Sequence, residues 1–403
     1  MASEEWKGSM SASCRYDNIE RISNKIISEC PEKKDIAQQE AFRIENDAFD
    51  ASSTREEYDE ACNVSFHPAS VPRQESPPSF LIPNPIGKDD NGDSIGVRIG
   101  PYQGCVPVGE GLTSTVYRAN SPSSTPRVVH ALKVIHPYQT FEPHNPQREV
   151  KILRSLHHPA AIALVDSFRD QEQRLVLTFP FKPLTLADLF DAGPVSVSRT
   201  RSIFRDILSA LSYIHARGII HRDIKPSAIL LDTFDGPAYL SDFGTAWHPD
   251  FSPSSEPPDS KILDIGTGPY RPPDALFGNK AYSTQADMWS LGVLLSESAS
   301  TNPMHPSPIF ESPPTHEDGS QLGLILSIFR TLGTPTPETW PEATRFRTTP
   351  FGMWRVFEAR DSEVVFEGVK EEFKGLVARL LRFESSERFT AEQALQQRCM
   401  QQE

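Results

Sequence analysis

HRDIKPSAILL, His221 to Leu231, is the stretch on which the reading of this chain turns. Asp223 can accept the proton of a hydroxyl, and Lys225 can neutralise negative charge developing beside it. Alone, this combination of residues is unremarkable. Its meaning depends on what flanks it.

Around it the pattern is helical. RTRSIFRDILSALSYIHARG precedes it, and ADMWSLGVLLSESAS, SQLGLILSIFRTLG and EFKGLVARLLRF follow, all with helical spacing. Farther upstream the period changes. CVPVGEGLTSTVYRA, VVHALKVIH, AIALVDSF and RLVLTFPF are apolar or β-branched runs broken by turn residues and read as strands. Between them, PQREVKILRSL places Val150, Leu153 and Leu156 among charges and reads as a helix. A small sheet with one helix thus precedes a larger helical part, an α+β architecture.

Three further pieces carry chemistry. VGEGLTSTV, Val108 to Val116, puts Gly109 and Gly111 on a tight strand–turn–strand, where backbone N–H groups can approach a phosphate closely. Any glycine hairpin would give the same signal, and Ser114 stands where a third glycine would complete G-x-G-x-x-G. HALKV places Lys133 inside an apolar strand, which is costly unless the ammonium is paired. Glu149 on the following helix is the available partner; taken singly, Lys133 reads better as a strand-edge surface lysine. SDFGTA supplies Asp242, a hard oxygen ligand suited to Mg²⁺.

The glycine loop, the strand lysine, the helix glutamate, HRDxK and DFG occur once each, in one order and in fitting secondary-structure contexts. On these motifs, residues of about 100–400 resemble a eukaryotic protein kinase. The resemblance implies a two-lobed α+β fold over 98–403. Its N-lobe is β-rich with one helix (98–181), and its larger helical C-lobe spans 182–403. It implies ATP between the lobes, with Val108, Gly109, Glu110, Gly111, Ser114, Val116, Ala131 and Lys133 above and Leu230 below. Phe179 would be the gatekeeper, Pro180 would offer adenine a carbonyl, and Lys182 would offer a backbone N–H. Asp223 would be the base, Lys225 its cationic neighbour, Lys133 and Glu149 a pair, and Asp242 the Mg²⁺ ligand.

Other matches narrow the resemblance. PYRPPDALFG stands where the family has Y-R-A-P-E, so Asp274 would pair with Arg388 of SSERFTAEQAL. Asp287 matches the aspartate that braces the HRD backbone. Arg271, FRTLGTPTPETWPE and Phe179 look like the cyclin-dependent kinase (CMGC) group. Lys225 and Thr267 imply Ser/Thr specificity. PHNPQREVKIL replaces a PSTAIRE-like motif, which counts against cyclin dependence. With DIGTGPYRPP the chain is most similar to divergent fungal kinases that activate cyclin-dependent kinases. These act as monomers on the activation loop of another kinase, which makes a cyclin-dependent kinase the candidate protein substrate.

One departure matters. The family has Asn at the Ala228 position, where it holds a second Mg²⁺. Alanine offers no oxygen there, so the chain is either a metal-demanding enzyme, with Ser227 a possible source of an oxygen, or a scaffold that has lost its chemistry. The activation segment, Asp242 to Asp274, leaves a second alternative. Arg222 would bind a phosphate on Ser254, Ser255 or Ser260, or else Glu256 or Asp259 supplies a constant charge.

The N-terminal 97 residues differ from the rest. Residues 1–95 carry 19 Asp/Glu and 10 Lys/Arg, −9 of the chain's net −14. With the Pro/Ser stretch from His67 to Asp93, this predicts a largely disordered acidic extension. Ile19, Ile22, Ile26 and Ile27 fall on one helical face, capped by Asp17 or Asn18 and ended by Pro31. They read as a marginal helix, or as a docking helix for a partner. Ser300 to Ser320 is proline-rich and reads as a surface loop.

Bulk properties exclude other classes. A net charge of −14 argues against nucleic acid and against an anionic membrane surface. No apolar run approaches the ~18 residues of a membrane span. MASEEWKGSM has no apolar core for a secretory signal, and neither a Gly following Met1 nor a CaaX box invites lipid. Five cysteines without CxxC spacing predict free thiols in a reducing compartment, cytosol or nucleus.

Overall fold

The computed structural model describes residues 96–111, 113–122, 128–136, 142–252, 256–302, 304–313, 321–351 and 356–401, with 54–62 and scattered positions from 18 to 52 upstream. Two compact units are present: residues 83–310 with 329–403, and residues 1–82 with 311–328.

The larger unit begins with a six-stranded sheet in the order β1-β2-β3-β4-β6-β5. Its strands are β1 (Val97–Ile99), β2 (Tyr102–Glu110), β3 (Ser114–Asn120), β4 (Val129–Ile135), β5 (Asp166–Arg169) and β6 (Leu175–Pro180), all paired antiparallel. The period of two sorts β4 into two faces. His130, Leu132 and Val134 are buried on one, in a core with Ile99, Tyr102, Cys105, Ala119 and Val176. Val129, Ala131 and Lys133 stay half-buried on the other. Lys133 is therefore on the cleft face because its alternate neighbours are the core.

Helix α1 (Arg55–Ala61) lies upstream of this sheet in sequence, and α2 (Pro146–Ser155) falls between β4 and β5. Asn145 starts α2: its side chain accepts from Arg148 N, and Pro146 follows, where a missing N–H costs nothing. Later come α3 (Leu186–Asp191), α4 (Val197–His215), α5 (Gln285–Ser298), α6 (Leu322–Leu332), α7 (Glu371–Leu380) and α8 (Ala391–Leu395). A second sheet, β7 (Leu184–Thr185), β8 (Ile229–Leu231) and β9 (Ala238–Leu240), has the order β7-β8-β9. Helix α4 buries Ile203, Phe204, Ile207, Leu211 and Ile214, the three-and-four spacing of an amphipathic face. Helix α5 is buried from Ala286 to Ser298 on every face, so the charge it carries at Asp287 must be used internally.

In the stretch from Ser300 to Ser320, residues 301, 302 and 304–313 are mostly exposed or half-buried, as a surface loop should be, with one exception. Phe310 is fully buried and stacks on Trp289 at 5.6 Å. Proline-rich composition hides one anchoring aromatic.

The smaller unit departs from the expected solvated arm where it is described. Asn18, Arg21, Ile22, Lys25 and Ile26 are helical, as are Ala41, Ile44, Glu45, Ala48 and Phe49. Ile22, Ile26, Ala41, Ala48, Tyr58 and Cys62 form an apolar cluster. The Tyr58 hydroxyl donates to Glu45 at 2.5 Å and accepts from Asn18 at 3.2 Å. Helix α1 carries a capping box between Thr54 and Glu57. Helical pieces that share a core need not be marginal as a lone helix is. Asn18 is within the helix and spends its side chain on Tyr58 rather than on a cap. Asp17, Ile19, Ile27, Pro31 and the stretch from His67 to Asp93 lie outside the described residues.

Cys62, Cys105 and Cys399 are free thiols. Among the described residues no helix is long and apolar enough to cross a membrane.

Candidate active site

Lys133 is the centre of the site. Its ammonium lies 2.7 Å from Glu149 Oε1 and 2.9 Å from Asp242 Oδ1. Burial would strip the proton from this lysine, but the two carboxylates outweigh it and hold its pKa above the ordinary value. In return, the lysine keeps Asp242 far below the usual carboxylate range, against its own desolvation and with help from Lys225. Glu149 is 2% exposed, and burial raises its carboxyl despite Lys133. The strand-edge surface reading of Lys133 is excluded.

Asp242 is held in the left-handed region at φ 61°, and Arg222 likewise at φ 72°. Such conformations cost ~1–3 kcal/mol and persist only where the surroundings enforce them. At Arg222 the enforcement is visible. Asp287, 1% exposed, accepts from His221 N and Arg222 N, each at 2.8 Å, and contacts His215 Nε2 at 2.8 Å. Burial opposes ionisation of Asp287, yet these donors win and its pKa is lowered. The chain then presents Asp223, whose Oδ1 accepts from the Thr267 hydroxyl at 2.7 Å and whose Oδ2 lies 2.5 Å from Lys225 Nζ. Lys225 also reaches Thr267 at 3.2 Å.

The cleft walls follow from strand register. Gly109 and Lys133 both pair with Val116, and Ala131 pairs with Phe179. Val108, Glu110 and Gly111 are exposed, and Ser114 is buried at the turn, where its carbonyl accepts from Gly111 N at 2.8 Å. The protein itself does not require the glycines. A methyl at Gly109 would meet Val116 at 3.9 Å, and one at Gly111 the Ser114 carbonyl at 3.5 Å. The space they leave suits a backbone-cradled phosphate. Pro180 pairs with His130, and Phe181 N is spent on Val129 O. The Lys182 side chain is committed to Asp232 at 2.7 Å and lies over the Tyr239 ring at 3.6 Å, which leaves its backbone as the part to which the expected role would fall. Leu230 is half-buried in β8, between Thr185 and Tyr239.

A metal must be tested against this donor set. Among the described residues no three His, Cys, Asp or Glu side chains cluster as a cation cage. Asp242 offers one carboxylate, its side chain 46% exposed. Ala228 is buried, and its carbonyl accepts from both Ser241 N and Ser241 Oγ at 2.9 Å. Ser227 is exposed. This fits Mg²⁺, which keeps waters and takes one or two carboxylates together with substrate phosphates.

In the activation segment, one of the candidate charges faces Arg222. Glu256, 2% exposed, contacts Arg222 Nη1 at 2.5 Å and Arg148 Nη1 at 3.3 Å. Asp259 is exposed, and so is Ser260. Ser254 and Ser255 lie outside the described residues. Asp274 pairs with Arg388 at 2.8 Å, both fully buried, and Arg271 with Asp264 at 2.9 Å.

Some site residues escaped the sequence reading. Arg148, beside Glu149 in PQREV, is 1% exposed; two adjacent charges next to the buried Val150, Ile152 and Leu153 of an amphipathic helix were the available signal. His144 is half-buried; burial lowers its pKa, and the charges of Asp242, Lys133, Asp223 and Lys225 all act on it. Asn145 N donates to Gly244 O at 3.0 Å, tying the start of α2 to the residue two beyond Asp242.

Comparisons with known proteins bear on the family and the fold. The protein kinase domain family matches residues 102–400. The serine/threonine-protein kinase csk1 of Schizosaccharomyces pombe is 40% identical over 214 residues, 51% of this chain. The matched part spans 64% of that relative's length, a little under two thirds. Among solved structures, the crystal structure of the yeast RNA Pol II CTD kinase CTDK-1 complex is similar, with a TM-score of 0.62 and 26% identity. It covers 83% of this chain and 97% of the matched one.

Proposed function

The chain belongs to the protein kinase family, and from that premise we propose that it transfers the γ-phosphate of ATP to a serine or threonine hydroxyl of a protein. The observation that carries this is Lys133 held between Glu149 at 2.7 Å and Asp242 at 2.9 Å, in a centre whose Asp223 already accepts a hydroxyl hydrogen bond at 2.7 Å. Lys133, fixed by two carboxylates, orients the nucleotide phosphates. Asp242 holds Mg²⁺, whose chemistry is to neutralise phosphate charge. Asp223 takes the proton of the substrate hydroxyl, and Lys225 offsets charge on the group in transfer. Pro180 O and Lys182 N face adenine beside Phe179, with Val116, Ala131 and Leu230 as its apolar walls.

A non-catalytic scaffold would rest on Ala228 alone; the retention of Lys133, Glu149, Asp223, Lys225 and Asp242 supports the catalytic reading. The resemblance of DIGTGPYRPP and of the α2 region to fungal activating kinases supports a cyclin-dependent kinase as the protein substrate. The name of the structural neighbour supplies a second candidate, the CTD of RNA Pol II.

Labelled-phosphate transfer from ATP with Mg²⁺ tests the reading. The substrates are a monomeric cyclin-dependent kinase, a peptide from the CTD of RNA Pol II and a generic Ser/Thr peptide, with Asp223→Asn run beside the wild type. Transfer by the wild type that disappears in the variant is expected. No transfer to any substrate across a wide range of Mg²⁺ and Mn²⁺ overturns it.

A further inference from the structure

Two arms of the centre end on one carboxylate. Arg148 precedes Glu149, which holds Lys133, and Arg222 precedes Asp223. Both guanidinium groups are at most 2% exposed, and both contact Glu256, at 3.3 Å and 2.5 Å. These partners lie 108 and 34 residues away in sequence. Glu256 is itself pinned. Its carbonyl accepts from Trp247 Nε1 at 3.1 Å, and its Oε1 accepts from Ile262 N at 3.2 Å. The Tyr282 hydroxyl joins Arg222 Nη1 at 3.2 Å to the Ile262 carbonyl at 2.7 Å. Lys261, 4% exposed, sits over the rings of Trp247 and Tyr282 at 4.9 Å and 5.1 Å.

The charges around this point are unequal. Arg148, Arg222 and Lys261 surround Glu256, and Glu142 at the rim reaches Arg148 at 3.0 Å. Among the described residues, Arg222 Nε, Arg222 Nη2 and Arg148 Nε are buried without an acceptor. Without Glu256, Arg222 would be a buried cation with no counter-charge among the described residues, which is among the costlier things a fold can contain. The segment from Trp247 to Ile262 therefore has a strong reason to keep Glu256 inward, and in doing so it holds α2 and the catalytic loop in one arrangement.

We propose that Glu256 is a positioning residue for the phosphotransfer read above: a built-in anion that locks α2 to the catalytic loop, so that the centre is assembled without phosphorylation of the activation segment. This rests on the kinase reading of the chain. Glu256 touches no reacting atom. It acts through Arg148 on the Lys133–Glu149 pair and through Arg222 on Asp223, so its loss should fall on kcat and leave KM for ATP nearly unchanged.

The full chain is made in bacteria, and mass spectrometry establishes that its activation segment carries no phosphate. Wild type, Glu256→Gln and Glu256→Asp are assayed on a substrate that the wild type phosphorylates, and all three are melted to compare folding. The unphosphorylated wild type is expected to be active and unchanged by phosphatase. Glu256→Gln, isosteric and neutral, should lose at least 30-fold in kcat with KM for ATP within threefold. Glu256→Asp, which keeps the charge, should recover a substantial part. Should Glu256→Gln fail to fold, the phosphatase comparison on the wild type and the Glu256→Asp rate still decide. Glu256→Gln within threefold of wild type, or a wild type that works only after phosphorylation, overturns the proposal while leaving the kinase reading intact. A wild type inert on every substrate, phosphorylated or not, overturns both.

Discussion

Replacing Asp287 by asparagine probes what holds the catalytic loop in its costly shape. The carboxylate is 1% exposed and meets three donors at 2.8 Å: His221 N, Arg222 N and His215 Nε2. Hydrogen bonds to a charged group contribute about 1.5–3 kcal/mol each. The asparagine carbonyl can keep two of these at most, in neutral and weaker form, and its NH₂ must then face the remaining donor. Losing one bond, weakening the others and burying two opposed N–H groups sums to about 3–4 kcal/mol. For a domain of about 300 residues, a melting temperature lower by roughly 5–6 °C follows. A second effect is local. Arg222 holds φ 72° with its N–H anchored by Asp287, and relaxation there moves Asp223. Phosphotransfer should therefore fall at least tenfold at a temperature where the variant is folded. Melting by circular dichroism and rates at 15 °C measure the two effects separately. A melting temperature within 2 °C of wild type, or an unchanged rate in the folded variant, would show that the Arg222 conformation does not depend on this anchor.

Three other outcomes are expected. Ala228→Asn supplies the oxygen that Ala228 lacks, so the Mg²⁺ concentration giving half-maximal rate should drop several-fold; an unchanged Mg²⁺ titration removes the metal argument. Glu297, buried and bonded to the Tyr270 hydroxyl at 2.6 Å, has its pKa pushed up to about 7 by burial. Because its folded value lies above its unfolded one, stability falls as pH rises between about 4.5 and 7 and stays low above that. Glu297→Gln should then be more stable than wild type at pH 8, by up to about 3 kcal/mol, and the gain should shrink toward pH 5 in urea titrations. If the difference does not vary with pH, Glu297 is not the titrating group. Gly244→Ala would set a methyl 3.4 Å from Asp242 Oδ1 and 3.6 Å from Lys133 Nζ, and should lower kcat with little loss of melting temperature; a rate within twofold of wild type refutes this.

Much of the centre was legible in one dimension. Lys133 alternates with Leu132 and Val134, so the strand period alone sends it to the face opposite the core. HRDIK and SDFG are short motifs readable without the fold, although the backbone of the first is held by the distant Asp287, and Asp274, Asp287 and Arg388 were found from their places in such motifs. Proline-rich or acidic stretches were less legible. Composition marked Ser300 to Ser320 as surface although Phe310 anchors it, and it marked the N-terminal extension as solvated although Ile22, Ile26 and Tyr58 share a core. Average polarity is insensitive to a few well-placed apolar side chains.

The sequence by itself pointed to the family, the cleft lysine and the two carboxylates Asp223 and Asp242, because each sits in a short local pattern that can be read without the fold. It left the charge opposite Arg222 open among three serines, Glu256 and Asp259. Only the tertiary structure chose Glu256, since the choice depends on where Arg148, Arg222, Trp247 and Ile262 converge. A loop has no period to align it. Its register is decided by which side chain can neutralise buried cations, and that is a property of the packed molecule.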